Sequence, residues 1–278
     1  MARVDLKDKP ILIAGASSGI GRATAVACAR AGMPVVCGAR RVDRLDELVR
    51  EIEGFGGSAT ACAMDVTDQD DCDRAVRVTV DTYGSLYSVF ANAGYGVERA
   101  VHLTTDDELR AMFEVNLFGT MNVLRPATPL LLEQGAGHVL ICSSSIGKIG
   151  VPYFGAYCAT KGAQWLLGQS MRCELRSRGV FVSTVHPVGT KTEFFDKAEE
   201  LSGGRSSLDS HAPDFAMQSA ETVASAIVRA LRTGKREIWP SWSRLVRLGI
   251  AMGNAFPFFA DQGMKKIARE GRRSEPDG

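Results

Sequence analysis

Residues 10–22 read Pro10-Ile11-Leu12-Ile13-Ala14-Gly15-Ala16-Ser17-Ser18-Gly19-Ile20-Gly21-Arg22, and an alanine-rich run continues to Ala31. A short apolar run, a glycine turn and a helical run predict strand, turn and helix in that order. In such a unit the glycine backbone can approach a pyrophosphate, and the helix N-terminus stabilises the anion. Alone, the glycines need do no more than permit tight packing of strand on helix. The remainder of the chain decides between the two uses.

The same alternation recurs. Met33 to Cys37, Ala59 to Met64, Leu86 to Phe90, His138 to Cys142 and Val180 to Val185 are apolar runs of strand length. Between them lie helical patterns, clearest where Val42, Leu45, Leu48, Val49 and Ile52 recur at helical spacing. Strands alternating with helices, with strand interiors almost wholly apolar, predict an α/β fold: a doubly wound parallel sheet with helices on both faces. No linker divides the chain, so residues 1–278 are expected to form a single domain. A long helical pattern from Asp106 to Leu132 contains Pro126, where a bend or break is expected. Ligands of such sheets bind at the carboxyl ends of the strands. Gly15 to Gly21, Asn92, Ser144 and His186 to Thr192 all fall there.

Tyr157 and Lys161 are four residues apart in a proline-free helical run, so both side chains leave one face of the helix. A phenol beside an ammonium is a proton-transfer pair, and the cation is expected to lower the tyrosine pKa. Ser143, Ser144 and Ser145 sit where the preceding strand ends, within reach of an oxygen that Tyr157 would protonate. A buried tyrosine and a solvated lysine on an ordinary helix would share the same spacing.

The bulk properties exclude several classes. With 45% hydrophobic and 23% charged residues the chain is an ordinary globular one, and its net charge of +1 argues against a nucleic-acid partner. Seven scattered cysteines without a C-x-x-C read as reduced thiols in a cytoplasmic protein, and the four histidines lack metal-ligand spacing. No metal is expected.

The spacing Gly15-x-x-x-Gly19-x-Gly21, with Asn92-Ala93-Gly94, Ser144, Tyr157 and Lys161, resembles the short-chain dehydrogenase/reductase family. The resemblance runs from about Lys7 to Trp239. It implies that Gly15, Ser17, Ser18, Gly19, Ile20 and Gly21 form the dinucleotide turn, although Ala14 stands where threonine is common. It implies that Asp65 and Val66 contact the adenine, and that Asn92, Ala93 and Gly94 lie beside the cofactor. Asn116 resembles the asparagine that holds a water in a proton relay. Ser144, thirteen residues before Tyr157, would orient the substrate oxygen, Tyr157 would be the acid/base, and Lys161 would bind the nicotinamide ribose. Pro187, Val188, Gly189, Thr190 and Thr192 resemble the loop along the cofactor, with Val188 in place of a glycine and Thr190 in place of a valine.

An acid after the second strand would mark NAD. Here Ala39 occupies that place and Arg40 follows it, so NADP is the expected cofactor, with Arg22 offering a second charge. The reading that results is an NADP-dependent carbonyl reductase or alcohol dehydrogenase. The alternatives are a non-catalytic NADP-binding sensor and a membrane-surface scaffold on the same fold. Residues 188–218 are expected to form a substrate lid. Residues 240–278 form an extension with seven basic residues; Trp239, Trp242, Leu245, Val246, Ile250, Met252 and Phe256 lie near helical spacing, and Phe258 and Phe259 follow Pro257. Such a stripe closes an apolar pocket, packs on another subunit, or makes weak contact with a membrane surface. The first two uses imply a bulky apolar substrate such as a steroid, terpenoid or long-chain carbonyl. The resemblance also implies a homodimer or homotetramer built on the two long helices, with Leu124, Trp165 and Leu166 turned outward.

Overall fold

The computed structural model describes residues 3–202, 217–240 and 243–272. Strand β1 (Ile11–Ala14) is wholly buried and pairs in parallel with β2 (Val35–Ala39) on one side and β4 (Ser88–Ala91) on the other. With β3 (Ala59–Ala63), β5 (Gly137–Cys142), β6 (Val180–Val185) and the short β9 (Glu237–Ile238), the sheet has the order β3-β2-β1-β4-β5-β6-β9. The chain winds outward from β1 to β3 and then returns to the other side of β1. The reversal opens a crevice between the carboxyl ends of β1 and β4, the place where such sheets bind ligands.

Alternation within β1 shows why the strands are apolar throughout. Ile11 and Ile13 face a core with Cys28 of α1 (Gly19–Arg30), Leu45 and Leu48 of α2 (Val42–Gly54), and Val223 and Ile227 of the late helix Ala220–Thr233. Leu12 and Ala14 face the opposite core, with Val76 of α3 (Gln69–Tyr83) and Val123 and Leu131 of α5 (Gly119–Gln134). Both faces of the strand are covered, so neither can be polar.

The expected break at Pro126 does not occur there. Helix α4 (Asp106–Phe113), opened by a Thr105–Glu108 capping box, runs into a π-turn at Glu114–Phe118, and α5 then continues through Pro126 and Pro129. Pro126 has no N–H for the Asn122 carbonyl, and Gln69 Nε2 donates to that carbonyl instead, at 3.0 Å. The distortion falls at Asn116, whose carbonyl accepts from Gln164 Nε2 at 2.7 Å and Thr120 Oγ1 at 2.8 Å. Gln164 belongs to α6 (Gly155–Leu175), the helix that carries Tyr157 and Lys161.

Of the expected lid, β7 (Thr190–Lys191) pairs with β8 (Gln218–Ser219) and α7 (Glu193–Leu201) lies between them; residues 203–216 fall outside the described residues. Helix α8 (Ala220–Thr233) packs on α1, and the extension forms α9 (Ser243–Ala255) and α10 (Pro257–Arg272). Trp242 of the expected stripe and residues 273–278 of the extension lie outside the described residues. Among the described residues no helix is long and apolar enough to cross a membrane. The outward placement of three residues on the long helices is met only by Leu166, which is 56% exposed. Leu124 is core, and the Trp165 indole donates to the part-buried carboxylate of Glu237.

Candidate active site

The glycine turn is shaped by close approaches. Gly15 has φ +80°, and a Cβ there would lie 2.8 Å from Ala93 Cα; a Cβ on Gly21 would lie 2.1 Å from the Gly15 oxygen. Only glycine permits both. Asn92 Nδ2 donates to the same Gly15 carbonyl at 3.1 Å, which ties the end of β4 to the turn. Ser18 is the N-cap of α1 but its side chain makes no capping bond, so the first N–H groups of the helix face the crevice. An anionic phosphate fits such a terminus.

Tyr157 and Lys161 lie on one face of α6, as their spacing requires, with the Lys161 ammonium 5.6 Å from the Tyr157 ring centroid. The three serines separate by use. Ser143 Oγ donates to the Lys161 carbonyl at 2.8 Å and the Ser145 side chain is buried. Ser144 Oγ accepts from Ile146 N at 3.4 Å and lies within hydrogen-bonding reach of Tyr157.

The expected lowering of the tyrosine pKa is absent. Burial pushes the Tyr157 phenol well above its ordinary range, the neighbouring Cys142 and Cys158 thiols add to the rise, and only the hydrogen bond with Ser144 opposes it. Lys161 is itself pushed down by burial, and its Nζ donates to the Cys142 carbonyl at 2.8 Å rather than toward the phenol. The pair is thus a protonated phenol beside a buried lysine side chain.

Asn116 is also more structural than its motif implies. Its Nδ2 donates to Tyr95 O at 2.8 Å and Thr160 Oγ1 at 3.0 Å, while Oδ1 accepts from Tyr95 N at 2.9 Å. One amide hydrogen and the oxygen hold the segment after β4, in which Gly94 lies against Asn116 and Lys161, and the other hydrogen ties Asn116 to α6.

On the adenosine side, the arginine that folds over the glycine turn is Arg41, not Arg40. Arg41 reaches Ser17 Oγ from Nε at 3.3 Å and Nη2 at 3.1 Å. The Arg40 side chain is 77% exposed and pairs at 3.8 Å with Asp65. Arg22 pairs with Glu51 of α2. Asp65 accepts from Thr67, and Val66 is buried with its carbonyl on Asn122 Nδ2. Thr192 caps α7 and packs on Gly19; Pro187 accepts from Ser145 N, and Thr190 Oγ1 donates to the Val188 carbonyl.

A model of the short chain dehydrogenase family matches residues 9–202. The chain belongs to the short-chain dehydrogenase family. An uncharacterized oxidoreductase of Listeria innocua is 33% identical over 193 residues, covering 69% of this chain and 78% of the relative. An alcohol dehydrogenase from Thermococcus sibiricus, solved with 5-hydroxy-NADP, is similar at 28% identity and a TM-score of 0.71, covering 83% of this chain and 94% of its own. A short-chain dehydrogenase/reductase from Burkholderia phymatum, solved with NAD, shares the fold at a TM-score of 0.76 and 24% identity, covering 84% of this chain and 89% of its own. The family is one of oxidoreductases that bind a nicotinamide cofactor and act on CH–OH or carbonyl groups. A non-catalytic binding role finds no support among these relatives.

Behind the dehydrogenase site lies a network that the sequence did not announce. Lys148 pairs with Glu237 at 2.7 Å, and the indoles of Trp165 and Trp239 donate to the same carboxylate at 3.2 and 3.1 Å. Trp239 stacks on His186 with centroids 4.8 Å apart. The partners assign the tautomer: His186 Nδ1–H donates to the Ser144 carbonyl at 3.2 Å, and Nε2 accepts from Thr184 Oγ1 at 3.0 Å. Burial holds the ring neutral at pH 7, and its Nδ1–H holds the backbone of the serine in place. Only tertiary packing brings these residues together, so no spacing could have marked them.

The network predicts acid lability. Burial holds His138 and His186 at about 4 against an ordinary 6.5. Burial pushes Glu237 up, but hydrogen bonds from Lys148 and Trp239 outweigh it and hold the carboxyl at about 2 against 4.5. All three are depressed, so their stabilisation is full above the unfolded values and is lost as pH falls through the folded ones. Each unit of separation is worth about 1.4 kcal/mol. The histidine loss runs from pH 6.5 to about 4 and the glutamate loss from 4.5 to about 2. Calorimetry should give a Tm that falls between pH 7 and 4.5; an unchanged Tm would show that the histidines are not held neutral.

Proposed function

We propose that this dehydrogenase reduces the carbonyl group of bulky apolar substrates with NADP(H). The observation that carries the reading is the meeting of Ser144, Tyr157 and Lys161 at the carboxyl end of β5, across the crevice from the glycine turn. In this reading the cofactor supplies the hydride. Tyr157, protonated at neutral pH, donates its phenolic proton to the carbonyl oxygen as that oxygen gains charge. Ser144 orients that oxygen from the loop that His186 braces. Lys161 binds the nicotinamide ribose and returns a proton to the phenol. Asn116 positions the Tyr95 segment, and its carbonyl, already bound by Gln164 and Thr120, is a weak candidate for holding a relay water. The glycine turn, Asp65, Val66, Asn92 to Gly94, Pro187 to Thr190 and Thr192 form the cradle.

NADP is preferred on the residues alone, since the related solved structures divide between the two cofactors. Ala39 presents no acid to the ribose hydroxyls, and Arg41 at the glycine turn, with Arg40 beside it, offers guanidinium groups for a 2′-phosphate. The substrate class rests on the surroundings of Tyr157. Val97, Met112, Val151 and Phe154 are buried around it, and Ile146, Ile149 and Phe194 pack against them. The extension closes over the same loops: Asn254 Nδ2 donates to the Lys148 carbonyl at 3.0 Å and Tyr153 to the Ala268 carbonyl at 3.2 Å. Assembly as a homo-oligomer through α5 and α6 belongs to the same proposal, with Phe118 and Leu166 exposed there.

The test is a panel of ketones, aldehydes and secondary alcohols with both cofactors, followed by nicotinamide absorbance. A buried methylene is worth about 0.8 kcal/mol, so kcat/KM should rise more than about tenfold from a three-carbon to a long-chain or polycyclic ketone. A preference for phosphorylated or short polar carbonyls would overturn the substrate class.

A further inference from the structure

Three successive residues at the start of α7 each lie against a different part of the site. Thr192 packs on the glycine turn, its Cγ2 3.0 Å from the place of a Cβ on Gly19. Glu193 accepts from the Arg41 guanidinium at 2.8 Å and lies within hydrogen-bonding reach of the Ser18 side chain. Phe194 packs on the Tyr157 ring, with centroids 5.3 Å apart at 45°. Arg41 therefore bridges the Ser17 hydroxyl of the turn and the carboxylate of Glu193. The remaining charges are turned elsewhere or stand farther off: Arg40 pairs with Asp65, Arg22 with Glu51, and Arg44 acts on Glu193 only at longer range.

A carboxylate held by the Arg41 guanidinium and the Ser18 hydroxyl at a glycine turn offers what a phosphate offers there: anionic oxygens that accept from a cation and a hydroxyl. We infer that Glu193 is a specificity-determining residue, its carboxylate holding Arg41 in the place of an adenosine 2′-phosphate and giving it up when NADP(H) binds. The inference rests on the NADP reading above. NADH carries no group that competes for Arg41, so the Arg41–Glu193 pair opposes only the phosphorylated cofactor. Glu193 is also the first residue of α7, and the adjacent Phe194 covers Tyr157.

Both side chains are nearly half exposed, 45% for Arg41 and 46% for Glu193, so the pair is worth little and the exchange is easy. Dissociation constants of the full chain for NADPH, NADH, adenosine 2′,5′-bisphosphate and 5′-AMP test the inference by direct titration, without turnover. Glu193→Gln should tighten NADPH and the bisphosphate by about two- to fivefold, the range of a half-exposed ion pair, and leave NADH and 5′-AMP unchanged. In an Arg41→Ala background the same substitution should have no effect on any of the four. Parent-like binding of the bisphosphate by Glu193→Gln would overturn the inference, and so would equal tightening in the Arg41→Ala background. A parent chain that binds the bisphosphate no better than 5′-AMP would refute the NADP reading itself, a distinguishable failure.

Discussion

Tyr157→Phe is expected to lower kcat by roughly a thousandfold, the middle of the range for loss of a positioned general acid. NADPH binding should stay within about twofold, since such a substitution removes an interaction made to the reacting oxygen and not to the bound cofactor. The substitution keeps the ring against Phe194 and under the Lys161 ammonium, and removes only the hydroxyl. The neighbours cannot replace it. Lys161 Nζ is bound to the Cys142 carbonyl, and Ser144 is an alcohol too weakly acidic to donate a proton at neutral pH. The measurement is single-turnover nicotinamide oxidation with a saturating ketone, beside a binding titration. A phenylalanine variant that keeps a tenth or more of its turnover would remove Tyr157 from the chemistry. A variant that loses cofactor binding in step would make its role structural.

The second large effect is on cofactor choice. Ala39→Asp combined with Arg41→Ala should turn a preference for NADPH into one for NADH. Ala39 ends β2 with its carbonyl on Met64 N, so an aspartate there would stand beside the adenosine ribose. Its carboxylate would accept from two hydroxyls and repel a 2′-phosphate. Arg41→Ala removes a charge-assisted contact of about 1.5–3 kcal/mol, which is about ten- to a hundredfold in binding. Arg40→Ala should do less, because its side chain is largely in solvent and already shared with Asp65. Equal dissociation constants for the two cofactors in the parent would defeat the prediction, and so would a larger effect of Arg40→Ala than of Arg41→Ala.

The difference between Arg40 and Arg41 shows where spacing along the chain stops being informative. Both follow β2, and spacing alone favours the nearer one. Which of them reaches Ser17 depends on how α2 leaves the strand and where α7 lies, and Arg41 meets Glu193 across 152 positions of sequence. Pro126 fails in the same way. A proline predicts a break, but Gln69 of α3 supplies the donor that the Asn122 carbonyl lacks, and the helix runs on.

The features legible in the chain alone rest on short-range physics. Apolar runs of strand length, separated by helical spacing, require a parallel sheet covered on both faces, because each strand must bury both of its sides. Gly15, Gly19 and Gly21 mark the turn because no other residue fits its backbone, and Tyr157 and Lys161 share a face because they are one helical turn apart. Three-dimensional packing was needed to show that Lys161 binds a carbonyl and does not lower the phenol, and that Glu237 gathers Lys148 and two indoles. Hydrogen-bond partners and desolvation depend on every group that surrounds an atom, and those groups come from strands and helices far apart in the chain.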